Sequence, residues 1–185
     1  MRGYKTKVIH SGVRLLNNIA IRVEEENDFA SIDQLNKEAF GGEGEAKLVS
    51  LLRIRKELLI SLVATKDDEV IGHVCASPVK VNGEDCFVVG IGPLSVYESH
   101  RCSGIGGMLM EEVIAQLRND GCVAAVLLGN PTYYPRFGFL SGASFNLQNE
   151  YGAGDPFMAM ELQEGALNNI SGMVTYVSAF AECNA

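Results

Sequence analysis

The spacing of apolar residues predicts two consecutive helices in the first third of the chain. Phe29, Ile32 and Leu35 recur at helical intervals, which places them on one face of an amphipathic helix. The segment Gly41–Gly44 interrupts this pattern, because glycine disfavours the interior of a helix. A second amphipathic helix is predicted for the leucines that follow: Leu48, Leu51 and Leu52.

Two β-rich runs predict a hairpin in the middle of the chain. Asn82-Gly83 separates Val70–Val81 from Cys86–Val96. An Asn-Gly pair favours a type I′ turn, in which both central residues have positive φ. The two runs are therefore expected to pair antiparallel. Pro93, inside the second run, predicts a bulge or a splayed edge, because proline cannot donate to the strand ladder.

The second half of the chain alternates between helix and strand. A helical pattern runs from Gly104 to Asp120, and the apolar run Cys122–Leu128 predicts a strand covered on both faces. A helical turn is predicted for Thr132–Phe137. Shorter runs predict the remaining strands: Ile21–Val23, Leu58–Ala64, short strands from Phe139 onward, and Phe157–Leu162. This order indicates an α/β fold of the α+β kind, a mixed and mostly antiparallel central sheet flanked by helices on both faces.

The 185 residues are expected to form one domain with a short N-terminal extension. Residues 1–18 contain basic residues and no acidic one: Arg2, Lys5, Lys7 and Arg14. We treat this segment as either a disordered leader or a cloning remnant, and we assign residues 19–182 to the single domain. The oligomeric state is left open, with a homodimer as one outcome.

Composition argues against several classes of function. The formal net charge of −8 argues against a nucleic-acid-binding surface, since such surfaces are basic. The 5 cysteines include no CxxC pair, which favours a reducing, cytoplasmic compartment, and no metal site is expected. No run of 18 or more apolar residues is present, so no membrane partner is expected.

A glycine-containing segment after a predicted strand indicates a ligand site. The stretch Val96–Met108 leaves the strand, passes through a polar loop and opens a helix that contains Gly104, Gly106 and Gly107. The first amides of a helix lack internal partners and lie at the positive end of its dipole. Glycines there let the backbone approach a phosphate closely, and Arg101 can add a charged donor.

The order of these residues distinguishes between phosphate-binding motifs. Leu109 stands where a GxGxxG motif needs glycine, and the chain has no Gly-Lys pair for a P-loop. Arg101-x-x-Gly104-x-Gly106 resembles the pyrophosphate-binding motif of the GNAT superfamily of acetyltransferases. The resemblance covers about residues 20 to 180 and includes further segments on both sides of the motif: Gly92–Val96, Asn130 and Tyr133-Tyr134-Pro135-Arg136-Phe137-Gly138-Phe139.

The resemblance implies an acetyl-CoA site on the strand and helix that flank the loop. Tyr134 is expected beside the CoA sulfur, as an acid with an ordinary pKa near 10 that protonates the leaving thiolate. Its neighbour Tyr133 is expected to be a packing residue. Asn130 would contact the pantetheine arm, although it precedes Tyr134 more closely than is usual in the family. The residues implied to bind the cofactor are Leu94, Ser95, Val96, Arg101, Cys102, Ser103, Gly104, Ile105, Gly106, Gly107 and Asn130.

The sequence indicates the acceptor-binding residues less clearly than the cofactor-binding residues. Glu43 and Glu45 lie between the first two helices, in a loop that borders the acceptor site in GNAT proteins, and would bind or deprotonate a cationic amine. A solvated loop is the alternative interpretation. His73, within a predicted strand, is expected to be a hydrogen-bonded structural histidine, with a substrate-side base as the alternative.

The function implied by the resemblance is that of an acetyl-CoA-dependent N-acetyltransferase. The acceptor would be the primary amine of a small molecule or a peptide, which attacks the thioester directly. A strand amide near Leu94–Val96 would stabilise the thioester oxygen. The alternative is a GNAT-fold protein that binds CoA as a sensor and transfers nothing. Tyr134 favours the enzyme, because binding alone needs no acid near the sulfur.

Overall fold

The computed structural model describes residues 14–16 and 18–183. Within these residues the strands form one sheet, with the bounds Arg14–Leu16 (β1), Ile19–Val23 (β2), Ile60–Lys66 (β3), Glu69–Val81 (β4), Val88–Val96 (β5), Ala124–Leu128 (β6), Leu140–Ser141 (β7), Leu147–Asn149 (β8), Phe157–Glu161 (β9) and Gly172–Tyr176 (β10). The α-helices of the same residues are Phe29–Phe40 (α1), Gly44–Ile54 (α2), Ile105–Asn119 (α3) and Ser178–Cys183 (α4).

The sheet is mixed and mostly antiparallel, as predicted. Its strand order is β1-β2-β3-β4-β5-β6-β9-β7, and along this path only β5 and β6 run parallel. The end of β4 also pairs antiparallel with β10, which in turn lies parallel to β8. The predicted hairpin is confirmed: β4 and β5 are antiparallel, and Asn82 and Gly83 have φ values of 52° and 83°.

Helices cover both faces of the sheet. The apolar side of α3, which includes Leu109 and Val113, is buried in a core cluster with Leu62 of β3 and Val74 of β4. On the opposite face α1 and α2 contribute Leu35 and Leu52 to a second cluster. This arrangement confirms the predicted architecture and places the first two helices on the side of the sheet opposite α3.

The sheet opens between β5 and β6. These strands pair only at Val88–Gly90, after which β5 bulges at Gly92-Pro93, where its register with β4 shifts between Val74 and Ala76. Beyond the bulge, Leu94–Val96 remains paired with β4 but has no strand on its other side within the described part of the chain. The bulge predicted at Pro93 is thus confirmed, and a gap lies directly before the predicted phosphate loop.

The structure contains elements that the apolar pattern did not predict. Arg14–Leu16 pairs antiparallel with β2, so part of the segment that we excluded from the fold extends the sheet. Residues 1–13 and 17, which belong to the same predicted extension, lie outside the described residues. Near the other end of the chain β10 and α4 were also not predicted, whereas β7 and β8 agree with the short strands expected from Phe139 onward. None of the described helices is long and apolar enough to cross a membrane.

Candidate active site

The predicted phosphate loop ends in open backbone amides. Gly104 precedes α3 with φ of 89°, no side chain caps the helix, and the first helical hydrogen bond runs from the Met108 N–H to the Gly104 carbonyl. The amides of the first turn therefore have no partner within the helix. A Cβ at Gly104 or Gly107 would meet nothing within 4 Å, so the loop is also sterically open.

The side chains of this loop fold back onto the protein. The Arg101 guanidinium donates to the carbonyls of Val96 and Ala39, at 3.3 and 3.4 Å. The Ser103 hydroxyl donates to the His100 carbonyl at 2.5 Å. Arg101, predicted to be a charged donor to phosphate, is thus turned toward the C-terminal end of α1. The backbone amides at the start of α3 therefore remain the open donors of the loop.

The last residues of β5 present backbone groups to the gap. The Tyr97 N–H donates to the Ile71 carbonyl at 3.1 Å, which makes these two residues a hydrogen-bonded antiparallel pair. Such pairs alternate along a ladder, so the N–H groups of Leu94 and Val96 point away from β4 and into the gap. Ser95 lies between them with its side chain buried. A free amide at Leu94 matches the predicted donor to a thioester oxygen.

A cavity of about 290 Å³ lies beside this gap. Its walls come from the ends of α1 and α2, the bulge of β5, the end of β6 and the last third of the chain: Phe40, Glu45, Leu48, Ile91, Gly92, Pro93, Leu94, Leu128, Gly129, Tyr134, Tyr151, Tyr176 and Phe180. The structure thus brings three of the predicted site residues together, namely Glu45, Leu94 and Tyr134. Tyr151, Tyr176 and Phe180 were not predicted to belong to the site, because their approach to the cavity depends on contacts between distant parts of the chain.

Tyr134 opens a short helical turn, Tyr134–Phe137, and its ring lines the cavity. A side chain at Gly129 would overlap this ring, so glycine allows it to lie against the end of β6. Burial raises the pKa of Tyr134 to about 12, and the neighbouring Tyr133 adds to the shift. The expectation of an ordinary pKa is therefore corrected: Tyr134 is protonated at neutral pH, but it is a weaker acid than a free tyrosine.

Tyr133 does more than pack against its neighbours. A Cβ at Gly106 would lie 3.0 Å from the Tyr133 hydroxyl, which places this hydroxyl beside the first turn of α3. The Arg136 guanidinium stacks over the Tyr133 ring at 4.5 Å and donates to the Tyr133 carbonyl at 3.0 Å. This pair adds polar groups next to the phosphate loop, and sequence reasoning assigned neither of them to the site.

The side chain of Asn130 forms hydrogen bonds within its own turn of the chain. Its side-chain oxygen accepts hydrogen bonds from the backbone N–H and the hydroxyl of Thr132, at 2.9 and 2.8 Å. Its carbonyl accepts from the amides of Tyr133 and Tyr134. Asn130 is exposed and is absent from the cavity wall. It therefore holds the turn that carries Tyr134, and the pantetheine contact that the resemblance implied stays a prediction.

The two acidic candidates of the acceptor site are separated by the structure. Glu43 pairs with Lys47 at 3.0 Å on the surface, and the hydrogen bond from Lys47 lowers the pKa of this carboxyl below its usual value. Glu45 is partly buried and lines the cavity. Its carboxylate forms no ion pair with any side chain in the described part of the chain. Only Glu45 is thus available to a ligand in the cavity.

His73 belongs to a buried network on the face of the sheet covered by α1 and α2. Its Nε2 lies 3.0 Å from the Ser61 hydroxyl, which donates to Glu24 at 2.6 Å. Arg53 donates twice to the same carboxylate, at 2.8 and 2.7 Å. Burial lowers the pKa of His73 to about 4, although the charge of Glu24 opposes the shift. His73 is fully buried and outside the cavity wall, which supports the structural interpretation.

Comparison with known proteins identifies the family. Residues 20–141 match the family described as Acetyltransferase (GNAT) domain. Over 162 residues the chain is 41% identical to an uncharacterized N-acetyltransferase of Escherichia coli K12, YhbS. The aligned segment covers 86% of this chain and 97% of YhbS. The chain therefore belongs to the GNAT acetyltransferases, and it is an acetyl-CoA-dependent N-acetyltransferase, as the sequence motifs predicted.

Two solved structures agree with this assignment. The crystal structure of the E. coli GNAT family N-acetyltransferase YhbS in complex with CoA superimposes with a TM-score of 0.85 at 38% identity, covering 95% of this chain and 96% of that chain. A GNAT family acetyltransferase from Brucella melitensis in complex with acetyl-CoA superimposes with a TM-score of 0.75 at 36% identity, covering 88% and 97%. The open amides of α3 and the free Leu94 amide fit such a cofactor, because they supply donors for a diphosphate and for a carbonyl.

Proposed function

We propose that this enzyme acetylates a primary amine attached to a largely apolar body, and that the amine attacks the thioester directly. The observation that carries the proposal is the composition of the cavity wall. Among the described residues, the wall contains one carboxylate, that of Glu45, together with aromatic and aliphatic side chains, Tyr134 and Leu94. A polyamine or an aminoglycoside, with several separated cations, would need more acidic partners than this wall offers.

Glu45 is suited to the acceptor amine. At neutral pH an alkyl amine arrives as an ammonium ion, which has no lone pair for attack. A carboxylate in a partly apolar wall attracts this cation and accepts its proton, directly or through water. The aromatic side chains around it, including Phe40 and Phe180, supply faces that favour a cation and an apolar body.

The opposite side of the cavity is suited to the acetyl donor. The amides at the start of α3 would hold the diphosphate, and the cofactor supplies the activated acetyl group. The Leu94 N–H donates to the thioester oxygen as negative charge develops there. The Tyr134 hydroxyl donates a hydrogen bond to the departing sulfur. These roles need no covalent enzyme intermediate, so Cys102, which is exposed in the phosphate loop, has no part in the transfer.

The test is release of CoA thiol from acetyl-CoA across a panel of amines, with phenethylamine, spermidine, kanamycin and a lysine-containing peptide as representatives. We expect the arylalkyl amine to have the highest kcat/KM. Glu45→Gln should lower kcat/KM for that amine about tenfold or more, since it removes the charge but keeps the shape. Glu43→Gln is the matched control, because it removes an equivalent charge two residues away, at the start of α2 but outside the cavity wall.

Two results would contradict the proposal. Binding of acetyl-CoA without turnover on any amine would favour the non-catalytic sensor. An equal fall of kcat/KM in Glu43→Gln and Glu45→Gln would mean that the start of α2 acts through its net charge and that no single carboxylate binds the amine.

A further inference from the structure

The motif arginine of the predicted phosphate loop is engaged by the protein itself. The Arg101 guanidinium donates to the carbonyls of Val96 and Ala39, which leaves the neutral amides at the start of α3 as the open donors. The diphosphate of CoA is negatively charged, and the protein has a formal net charge of −8. A phosphate group therefore approaches the loop against an unfavourable overall field, and a further cation beside the loop would strengthen binding.

Arg136 is a cation with donors available for a ligand. Its guanidinium stacks over the Tyr133 ring at 4.5 Å, and its Nε donates to the Tyr133 carbonyl at 3.0 Å. The side chain is exposed, and its terminal N–H groups have no partner among the described residues. The stack and the hydrogen bond thus hold the guanidinium in place while its fork of N–H groups stays open to solvent.

The Tyr133 ring joins this guanidinium to the phosphate loop. A Cβ at Gly106, in the first turn of α3, would lie 3.0 Å from the Tyr133 hydroxyl. This hydroxyl makes no hydrogen bond with a described residue, and it is not among the polar atoms that are closed to solvent. It therefore lies beside the open amides as a further accessible donor, and the Arg136 guanidinium lies one ring away from the same turn.

The topology of the sheet explains why two separate segments meet here. β5 and β6 run parallel, so the segments that follow their carboxyl ends leave the sheet at the same edge. The phosphate loop follows β5, and the turn that carries Tyr133 and Arg136 follows β6. The two donors therefore reach the loop from a part of the chain that the Arg101-x-x-Gly104-x-Gly106 motif does not include.

We propose that Tyr133 and Arg136 form the side-chain part of the site for the CoA diphosphate. The Tyr133 hydroxyl donates to the diphosphate next to the amides of α3, and Arg136 supplies the positive charge while Arg101 is engaged by carbonyls. A guanidinium suits this role because its planar fork of donors matches the oxygens of a phosphate group. The inference concerns the cofactor alone and does not depend on which amine is acetylated.

Calorimetric affinities for CoA, dephospho-CoA and pantetheine test this role, and melting temperatures check the fold. Dephospho-CoA keeps the diphosphate but lacks the 3′-phosphate, whereas pantetheine lacks every phosphate. Tyr133→Phe keeps the ring under the guanidinium and removes only the hydroxyl, and Arg136→Gln removes the charge. The matched controls are Tyr97→Phe, a partly exposed tyrosine outside the cavity wall, and Arg118→Gln, which removes an equal charge from the last turn of α3.

Arg136→Gln should weaken the binding of CoA and of dephospho-CoA by the same factor, about tenfold, because both ligands contain the diphosphate. Tyr133→Phe should weaken both about threefold, since it removes one hydrogen bond and no charge. Pantetheine affinity and the melting temperature should change little in either variant. The loss in Arg136→Gln should decrease at high salt, because exposed charges are screened. Both controls should keep the native affinities.

Four results would overturn the inference. Native CoA affinity in both variants would mean that the pair does not reach the cofactor. An equal loss of pantetheine affinity would mean that the pair only supports the turn that carries Tyr134. A larger loss for CoA than for dephospho-CoA would assign Arg136 to the 3′-phosphate. The same loss in Arg118→Gln would mean that only the net charge of the protein matters. None of these results depends on turnover, so failure of the proposed function is a separate outcome.

Discussion

At the scale of single residues, the surroundings of Tyr134 determine its acid strength. The ring is buried against Phe139 and Tyr133, and its pKa is raised to about 12. An alkyl thiol has a pKa of about 8.5, so complete transfer of the tyrosine proton to a thiolate is uphill. Tyr134 is therefore better suited to donate a hydrogen bond as charge develops on the sulfur than to release its proton early.

Tyr134→Phe should lower kcat by about 10²-fold, at the lower end of the range for general acid catalysis, because the raised pKa makes the tyrosine a weak acid. Affinity for acetyl-CoA should change little, since the ring remains. Steady-state turnover beside calorimetry measures both quantities, with Tyr97→Phe as the control. Full turnover in Tyr134→Phe would mean that the ring only packs and that the thiolate takes its proton from water.

At the scale of elements, the junction of β5 with α3, where we predict the cofactor site, offers backbone amides rather than side chains. The bulge at Gly92-Pro93 separates the end of β5 from β6, and Gly104 turns the chain into α3 with φ of 89°. Arg101 stabilises the junction through the carbonyls of Val96 and Ala39. The open amides of the first helical turn follow directly from this arrangement.

Gly104→Val should therefore weaken acetyl-CoA binding more than Arg101→Ala does. A β-branched residue with positive φ is strained, and its side chain would occupy the open side of the loop, so we expect about tenfold weaker binding. Arg101→Ala removes two long hydrogen bonds and should cost less than about threefold. Calorimetry measures both, and melting temperatures check the fold. The reverse order would mean that Arg101 turns toward the phosphates when the cofactor binds.

At the scale of the whole molecule, one buried polar network joins the sheet to two helices. Glu24 follows β2, Ser61 lies on β3, His73 on β4 and Arg53 on α2. Asn36 of α1 completes it at 3.5 Å from His73 Nδ1. Burial acts to raise the pKa of Glu24, but hydrogen bonds from Arg53 and Ser61 lower it below its usual value. The network thus keeps Glu24 charged and His73 neutral.

Acid should destabilise the fold through His73. Its pKa is about 4 in the native state against 6.5 in the unfolded chain, so the unfolded chain binds more protons between these values. Stability is therefore complete above pH 6.5 and is lost as the pH falls toward 4, by about 2 kcal/mol between pH 7 and pH 5. Urea unfolding at a series of pH values measures this slope.

His73→Gln should flatten the pH dependence, because glutamine keeps hydrogen-bonding groups but does not titrate. His100→Gln is the control and should retain the native slope, since His100 lies in the phosphate loop outside this network. An equally steep slope in His73→Gln would assign the acid sensitivity to other groups.

The fold could largely be predicted from the sequence because its determinants are local. The spacing of Ile32 and Leu35, the Asn82-Gly83 turn and the proline at 93 each constrain the backbone within a few residues, and all three predictions were confirmed. The elements that were missed, β1, β10 and α4, are at most six residues long. Such short segments are stabilised by the partner they pair with, which no local pattern reveals.

By itself the sequence determined the family and the open backbone at the start of α3, because glycine positions and strand-to-helix order are properties of a short stretch; that this backbone holds the cofactor stays a prediction. Only the tertiary structure decided which side chains share the cavity. It separated Glu45 from Glu43, turned Arg101 and Asn130 to local partners, buried His73, and brought Tyr176 from the end of the chain against Gly90. Burial and contact depend on residues distant along the chain, and the same dependence raised the pKa of Tyr134.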